Sequence, residues 1–221
     1  YTTPEHRMIE RSTLDNVARG KGASPGMIAM GEAPARLREA AGDKPLNVEQ
    51  IAAGTLALGS DDRTVVIQGV AGAGKTTLIS AIASVSHQEG RDVIGLAFAN
   101  KMVSDLRNDT QLRGRGGEVL QAGIAAQTVS SFINQHLRGA LHRSGPQFEA
   151  SRNAVAGKVL ILDEASLVAN KPMNDLLTIA NRLGAEKVIM VGDKAQLLSI
   201  EAGKAFALIQ ANNPAMARLD T

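Results

Sequence analysis

Four short apolar runs punctuate this chain: Thr64-Val65-Val66-Ile67-Gln68, Val93-Ile94-Gly95-Leu96-Ala97-Phe98, Val159-Leu160-Ile161-Leu162 and Val188-Ile189-Met190-Val191. Each is nearly continuous in apolar residues rather than alternating, and each is followed by a stretch with helical spacing. Thr77-Leu78-Ile79-Ser80-Ala81-Ile82-Ala83 is one such stretch. Strands buried on both faces and alternating with helices predict an α/β fold, a parallel sheet with helices on both sides. Upstream, Thr2-Thr3-Pro4-Glu5 is a helix-start signal. That helix should run through Met8, Ile9, Leu14 and Val17 and stop near Gly20-Lys21-Gly22. A turn-rich patch around Ser24-Pro25-Gly26 and a short helix from Pro34 to Ala41 follow. Asn47-Val48-Glu49-Gln50 then opens a helix carrying Ile51, Leu56 and Leu58. Two units are expected: a helical N-terminal appendage or linker over residues 1–45, and the α/β domain over 46–221.

Composition narrows this further. A length of 221 residues suits one domain with an appendage. Hydrophobic residues make up 44% but aromatics only 2%, so the core must be aliphatic. The absence of cysteine excludes disulfides and thiolate metal sites. No run approaches the ~18 apolar residues of a membrane span, and the N-terminus lacks a signal-peptide core. A cytoplasmic protein with no membrane insertion is expected. The net charge of +2 is too small to point to a polyanion by itself.

The candidate chemistry begins at the end of the first apolar run. Gly69-Val70-Ala71-Gly72-Ala73-Gly74-Lys75-Thr76 fits the phosphate-binding loop pattern G-x-x-x-x-G-K-[ST] at every fixed position, between a strand and a helix. Its glycines let the backbone turn N–H groups inward, and the helix N-terminus adds partial positive charge. Gly69, Gly72, Ala73, Gly74, Lys75, Thr76 and Thr77 are therefore the expected nucleotide-binding residues. Lys75 would reach the β- and γ-phosphates and Thr76 would ligate magnesium.

The third run ends in Asp163-Glu164-Ala165-Ser166. The carboxyl ends of parallel strands face the ligand, so Asp163 is expected to hold Mg2+, mostly through water, and Glu164 to orient or deprotonate the attacking water. A plain helix cap by Asp163 or Ser166 is the competing reading. The fourth run leads into Gly192-Asp193-Lys194-Ala195-Gln196, where Gln196 can hydrogen-bond the γ-phosphate; a polar turn with a solvated amide is the alternative.

The phosphate loop, LILDEAS and VGDKAQLLSIEAGKAF occur together, in order and suitably spaced. Over essentially its whole length the chain resembles the first RecA-like P-loop domain of superfamily 1 helicases of the RecD-like group. Within that group it most resembles the helicase portion of TraI/TrwC-type conjugative relaxases. The resemblance implies an ATP- and Mg2+-dependent motor moving 5′-to-3′ on single-stranded DNA in plasmid transfer. Its partners would be a relaxase and a second RecA-like domain in the same polypeptide. A RecD-like recombination or repair helicase, or a binding module with idle ATPase motifs, are the alternatives.

Residue by residue, the resemblance places Gln50 where this group reads adenine, although Asn47 and Gln50 are also spaced as a reciprocal helix cap. Asn100 and Lys101, after Phe98, match a single-strand DNA-contact motif, without the pattern usual there. Phe98 could stack a base, but a phenylalanine ending a buried strand is more often core. Thr128 and Ser130 match a further DNA-contact block, with Ser130 where histidine is common; either could instead cap a helix. The basic stretch from His136 to Lys158 reads as a solvated loop, with a mobile basic loop near DNA as the alternative, and His136 and His142 read as surface residues. With so few aromatics, DNA contact should be backbone-directed and salt-sensitive.

The chain ends about where the next helicase motif should begin. In the family a second domain supplies arginines that stabilise the transferred phosphate, and loss of such an arginine costs ~10³–10⁵ in turnover in related systems. The fragment alone is therefore expected to bind ATP–Mg weakly, hydrolyse it poorly and not unwind DNA.

Overall fold

The apolar runs become the centre of one sheet because helices cover both of its faces. The structure is a computed structural model and describes residues 3–69, 74–113, 118–193, 202–212 and 215–219. It opens with helices α1 (Pro4–Gly20), α2 (Ala33–Ala41) and α3 (Val48–Gly59), then strand β1 (Thr64–Gly69) and α4 (Lys75–Gln88). β2 (Val93–Ala97) and α5 (Asn100–Asp109) lead to an antiparallel ribbon of β3 (Leu112–Arg113) and β4 (Val119–Gln121). Next come β5 (Ala125–Thr128), α6 (Val129–Leu141), α7 (Pro146–Val155) and β6 (Val159–Leu162). A 3-10 turn (Ala165–Leu167), α8 (Asn170–Leu183), β7 (Lys187–Gly192), α9 (Ala202–Asn212) and β8 (Met216–Leu219) complete the described chain.

The main sheet has six strands in the order β5-β2-β6-β7-β1-β8, every pairing parallel. Successive side chains in a strand point to opposite faces, so the runs feed two separate cores. Val65, Ile67, Ile161, Ile189 and Val191 pack with Leu37, Leu58, Leu78 and Ile82 on one face. Val66, Leu160, Leu162, Val188 and Met190 pack with Val17, Phe132, Leu176 and Phe206 on the other. The parallel α/β expectation is met.

Two strands of this sheet have no counterpart among the four runs. β5 (Ala-Ala-Gln-Thr) and β8 (Met-Ala-Arg-Leu) are the two edges. An edge strand is not enclosed on all sides, so it carries no continuous apolar signature. The basic stretch after His136 is a second difference. It forms the end of α6 and all of α7 rather than a loop, with Pro146 and Glu149 in the first turn of α7. His136 is half-buried against Phe132, ring centroids 4.8 Å apart, and burial pushes its pKa down; His142 is exposed as expected.

The N-terminal helices start where expected. The Thr3 side chain accepts from the His6 N–H at the start of α1. The core-facing side of α1 is Thr13, Asn16, Val17 and Gly20, while Met8 is 73% exposed. Asn16 donates to Asn174 and Thr178 at 3.0 Å each and accepts from Asn181, locking α1 onto α8. α2 packs on α3 and α4. Among the described residues no helix is long and apolar enough to cross a membrane.

Candidate nucleotide and phosphoryl-transfer site

The strand order decides what meets at the carboxyl edge of the sheet. β7 lies between β1, which leads to the phosphate loop, and β6, which leads to Asp163-Glu164. A side chain after β6 must therefore cross the tip of β7 to reach the start of α4. Glu164 makes that crossing: the Lys75 ammonium donates to its Oε1 at 3.1 Å. Both side chains are largely withdrawn from water, 11% and 21% exposed.

Backbone geometry aims Glu164 there. It sits in the left-handed region (φ 50°, ψ 46°), the only non-glycine with positive φ among the described residues. An L-residue avoids that conformation unless its surroundings impose it. Glu164 Oε2 is buried without a hydrogen-bond partner.

Asp163 Oδ1 accepts from the Glu164 N–H at 2.9 Å, and its own N–H continues the sheet by donating to Leu96 O. Burial, then the neighbouring Glu164 carboxylate, raises the Asp163 pKa; Lys75 and the Glu164 N–H act in the opposite direction. Two acids crowd one partly buried place with a single ammonium between them. A divalent cation fits this electrostatic situation, since it would stabilise the charged form of Asp163. Among the described residues no three acidic or histidine side chains converge. Most ligands of such a cation would then come from phosphate and water.

Gly69 and Gly74 bracket the phosphate loop, whose residues 70–73 lie outside the described residues, so Gly72 and Ala73 are not placed. Gly74 has φ +67°, and a Cβ there would stand 2.3 Å from Gln50 Nε2. Gln50 thus abuts the start of α4. Its Oε1 accepts from the Asn47 N–H at 2.9 Å while its own N–H donates to Asn47 Oδ1 at 2.8 Å. The capping box is realised, and the amide nitrogen still lies at the phosphate loop. Thr76 and Thr77, in the first turn of α4, are half-buried. Gln196 also falls outside the described residues, but its block leaves β7 through Gly192 and the buried Asp193 at this same edge.

Farther along the edge, β2 and β5 pair in parallel with Ala97 opposite Thr128. Their carboxyl ends bring Phe98, Asn100 and Lys101 beside Thr128 and Ser130. Phe98 is 56% exposed and belongs to neither core. Asn100, Lys101 and Ser130 are exposed. Thr128 caps α6, its Oγ1 accepting from the Ser131 N–H at 3.2 Å.

Asp193 and Ser166 were not among the expected site residues. Asp193 carried a usable signal, being an acid directly after a buried strand, as Asp163 is. Ser166 carried none beyond its place two residues after Glu164.

Residues 45–221 match a family model described as an AAA domain. The conjugal transfer protein TraA of Rhizobium radiobacter is 31% identical over 218 residues, covering 98% of this chain and 17% of that protein. The multifunctional conjugation protein TraI of Escherichia coli (strain K12) is 31% identical over 210 residues, covering 93% of this chain and 10% of that protein. The chain thus spans less than a fifth of these curated relatives. Among solved structures, the UvsW helicase from bacteriophage T4 superposes with a TM-score of 0.50 at 12% identity, covering 81% of this chain and 62% of that one. That is a likeness of fold alone.

Proposed function

Because the chain belongs to the AAA-domain family and has a nucleotide-binding α/β fold, we propose that it is the ATP-hydrolysing motor domain of a 5′-to-3′ single-stranded-DNA helicase acting in conjugative DNA transfer. The observation that carries the proposal is the Lys75–Glu164 pair across the tip of β7, on the same sheet edge as Phe98, Asn100 and Lys101. An ATP-driven motor needs its hydrolytic residues and its track on one mechanical unit, and this edge offers both. The relatives' names, TraA and TraI, are those of conjugation proteins and support the transfer setting over repair.

The residues divide the work as follows. Gly69, Gly72, Ala73 and Gly74 present backbone around the phosphates, Thr77 adds a hydroxyl, and Gln50 reads adenine with the amide that faces Gly74. Thr76 and Asp163 would hold Mg2+, which would neutralise charge developing on the phosphates. Lys75 moves from Glu164 to the phosphates, and the freed carboxylate orients and deprotonates the attacking water. Gln196 contacts the γ-phosphate. Asn100, Lys101, Thr128 and Ser130 contact the DNA backbone, and Phe98 is placed to stack a base.

In the organisation we infer, residues 46–221 are the first motor domain, reached through helices of residues 1–45. A second RecA-like domain and a relaxase share the polypeptide, in the cytoplasm. The test is ATP-dependent unwinding of duplexes with a 5′ or a 3′ single-stranded tail by the natural polypeptide that carries this chain. Unwinding of the 5′-tailed duplex alone is expected. Unwinding of only the 3′-tailed duplex, or of neither, overturns the proposal.

A further inference from the structure

Five buried side-chain polar atoms among the described residues have no hydrogen-bond partner, and three lie on one seven-residue stretch: Glu164 Oε2, Ser166 Oγ and Asn170 Oδ1. A buried polar group left unpaired is destabilising, because it has given up water and gained nothing in return. Such a concentration beside a strained backbone residue asks for partners that the fold itself does not supply.

Ser166 is the most enclosed of the three, only 2% exposed. It sits in the turn Ala165–Leu167, against which α9 packs. Its backbone nitrogen lies 3.2 Å from where a Cβ on Gly192 would stand, and the Phe206 ring lies 2.9 Å from that same point. Ser166 therefore sits at the tip of β7, the tip that the Glu164 side chain crosses to reach Lys75. Glu164 has one oxygen held by Lys75 and one orphaned. The hydroxyl two residues on has a proton to give and nothing to receive it.

We propose that Ser166 is a positioning residue for hydrolysis, acting through Glu164. When Lys75 goes to the phosphates, the Ser166 hydroxyl donates to the Glu164 carboxylate, directly or across one bridging water. This holds the carboxylate toward the attacking water after its ion pair is lost. The inference rests on the ATPase reading above, and it adds to that reading the group that keeps the base in place.

The test is steady-state, DNA-stimulated ATP hydrolysis by the natural polypeptide, comparing wild type, Ser166→Ala, Ser166→Cys and Glu164→Gln. Ser166→Ala is expected to lower kcat roughly ten- to hundredfold, the scale on which small misplacements of a reacting group act. KM for ATP should stay within about twofold, since the hydroxyl acts on Glu164 and touches no part of the nucleotide. Its melting temperature should be unchanged or higher, because an unpaired buried hydroxyl has been removed. Ser166→Cys, of similar size but a weaker donor, should fall between. A Ser166→Ala enzyme with wild-type kcat beside an inactive Glu164→Gln overturns this inference and leaves the ATPase reading standing. A Ser166→Ala enzyme with lower melting temperature, and with kcat and KM changed together, overturns it in favour of a packing role. Absence of hydrolysis in the wild type instead overturns the reading beneath it.

Discussion

Glu164 shows how far a single residue can be read from spacing and where that stops. Its place after a buried strand and its partnership with Asp163 were legible, because the carboxyl ends of parallel strands face the ligand. Its left-handed backbone and its bond to Lys75 were not, since both depend on β7 lying between β6 and β1. Phe98 illustrates the same limit: an aromatic ending an apolar run reads as core, yet the chain turns at the sheet edge and leaves it exposed. Glu164→Gly should relieve the unfavourable φ at some cost in unfolded-state entropy. Stability in urea unfolding should then stay within ~1 kcal/mol of wild type, the relieved φ offsetting the lost Lys75 ion pair, while ATP turnover is lost. A marked fall in stability would mean that the carboxylate supports the fold rather than the chemistry.

At the scale of elements, legibility followed enclosure. β1, β2, β6 and β7 are buried between helices and announced themselves, whereas the edge strands β5 and β8 did not. α1 was found by its cap, although Thr13 and Asn16 face the core beside the single apolar side chain Val17. The neighbouring starts of α5 and α6 carry two roles that can be separated. Thr128→Ala removes a cap bond and should lower stability by ~1 kcal/mol. Lys101→Ala, at an exposed position on α5, should leave stability within about 0.5 kcal/mol. It should weaken single-stranded DNA binding and reduce the slope of log K against log salt by ~0.7. Salt titrations of DNA affinity beside urea unfolding check both; an unchanged slope for Lys101→Ala would remove it from the DNA surface.

At the scale of the whole molecule, the two ends of the sheet gather different residues. At the amino end Lys187 is fully buried, its ammonium donating to the carbonyls of Ser60, Asp62 (2.6 Å) and Ser24 (3.5 Å). It ties the segment after α1 and the loop before β1 to the first residue of β7. Burial pushes its pKa down to about 8 from 10.5, partly opposed by Glu186, Asp62 and Asp61. Below pH about 8 both folded and unfolded chains carry this proton, so its contribution is constant. Between about 8 and 10.5 the unfolded chain binds more protons there, and stability should rise with pH. Urea unfolding across that window should show the rise in wild type and lose this component in Lys187→Met. That variant should also be less stable near neutral pH, because three buried carbonyls lose their donor.

The carboxyl end is the proposed working end, and hydrolysis of ATP there under the control of DNA is the central claim. It is tested most directly by the ATPase rate of the natural polypeptide with and without single-stranded DNA, for wild type, Lys75→Ala and Glu164→Gln. The account predicts hydrolysis stimulated at least about tenfold by DNA in wild type, and a fall of ~10² or more in either variant. Hydrolysis indifferent to DNA, or undiminished when Lys75 or Glu164 is replaced, would contradict it.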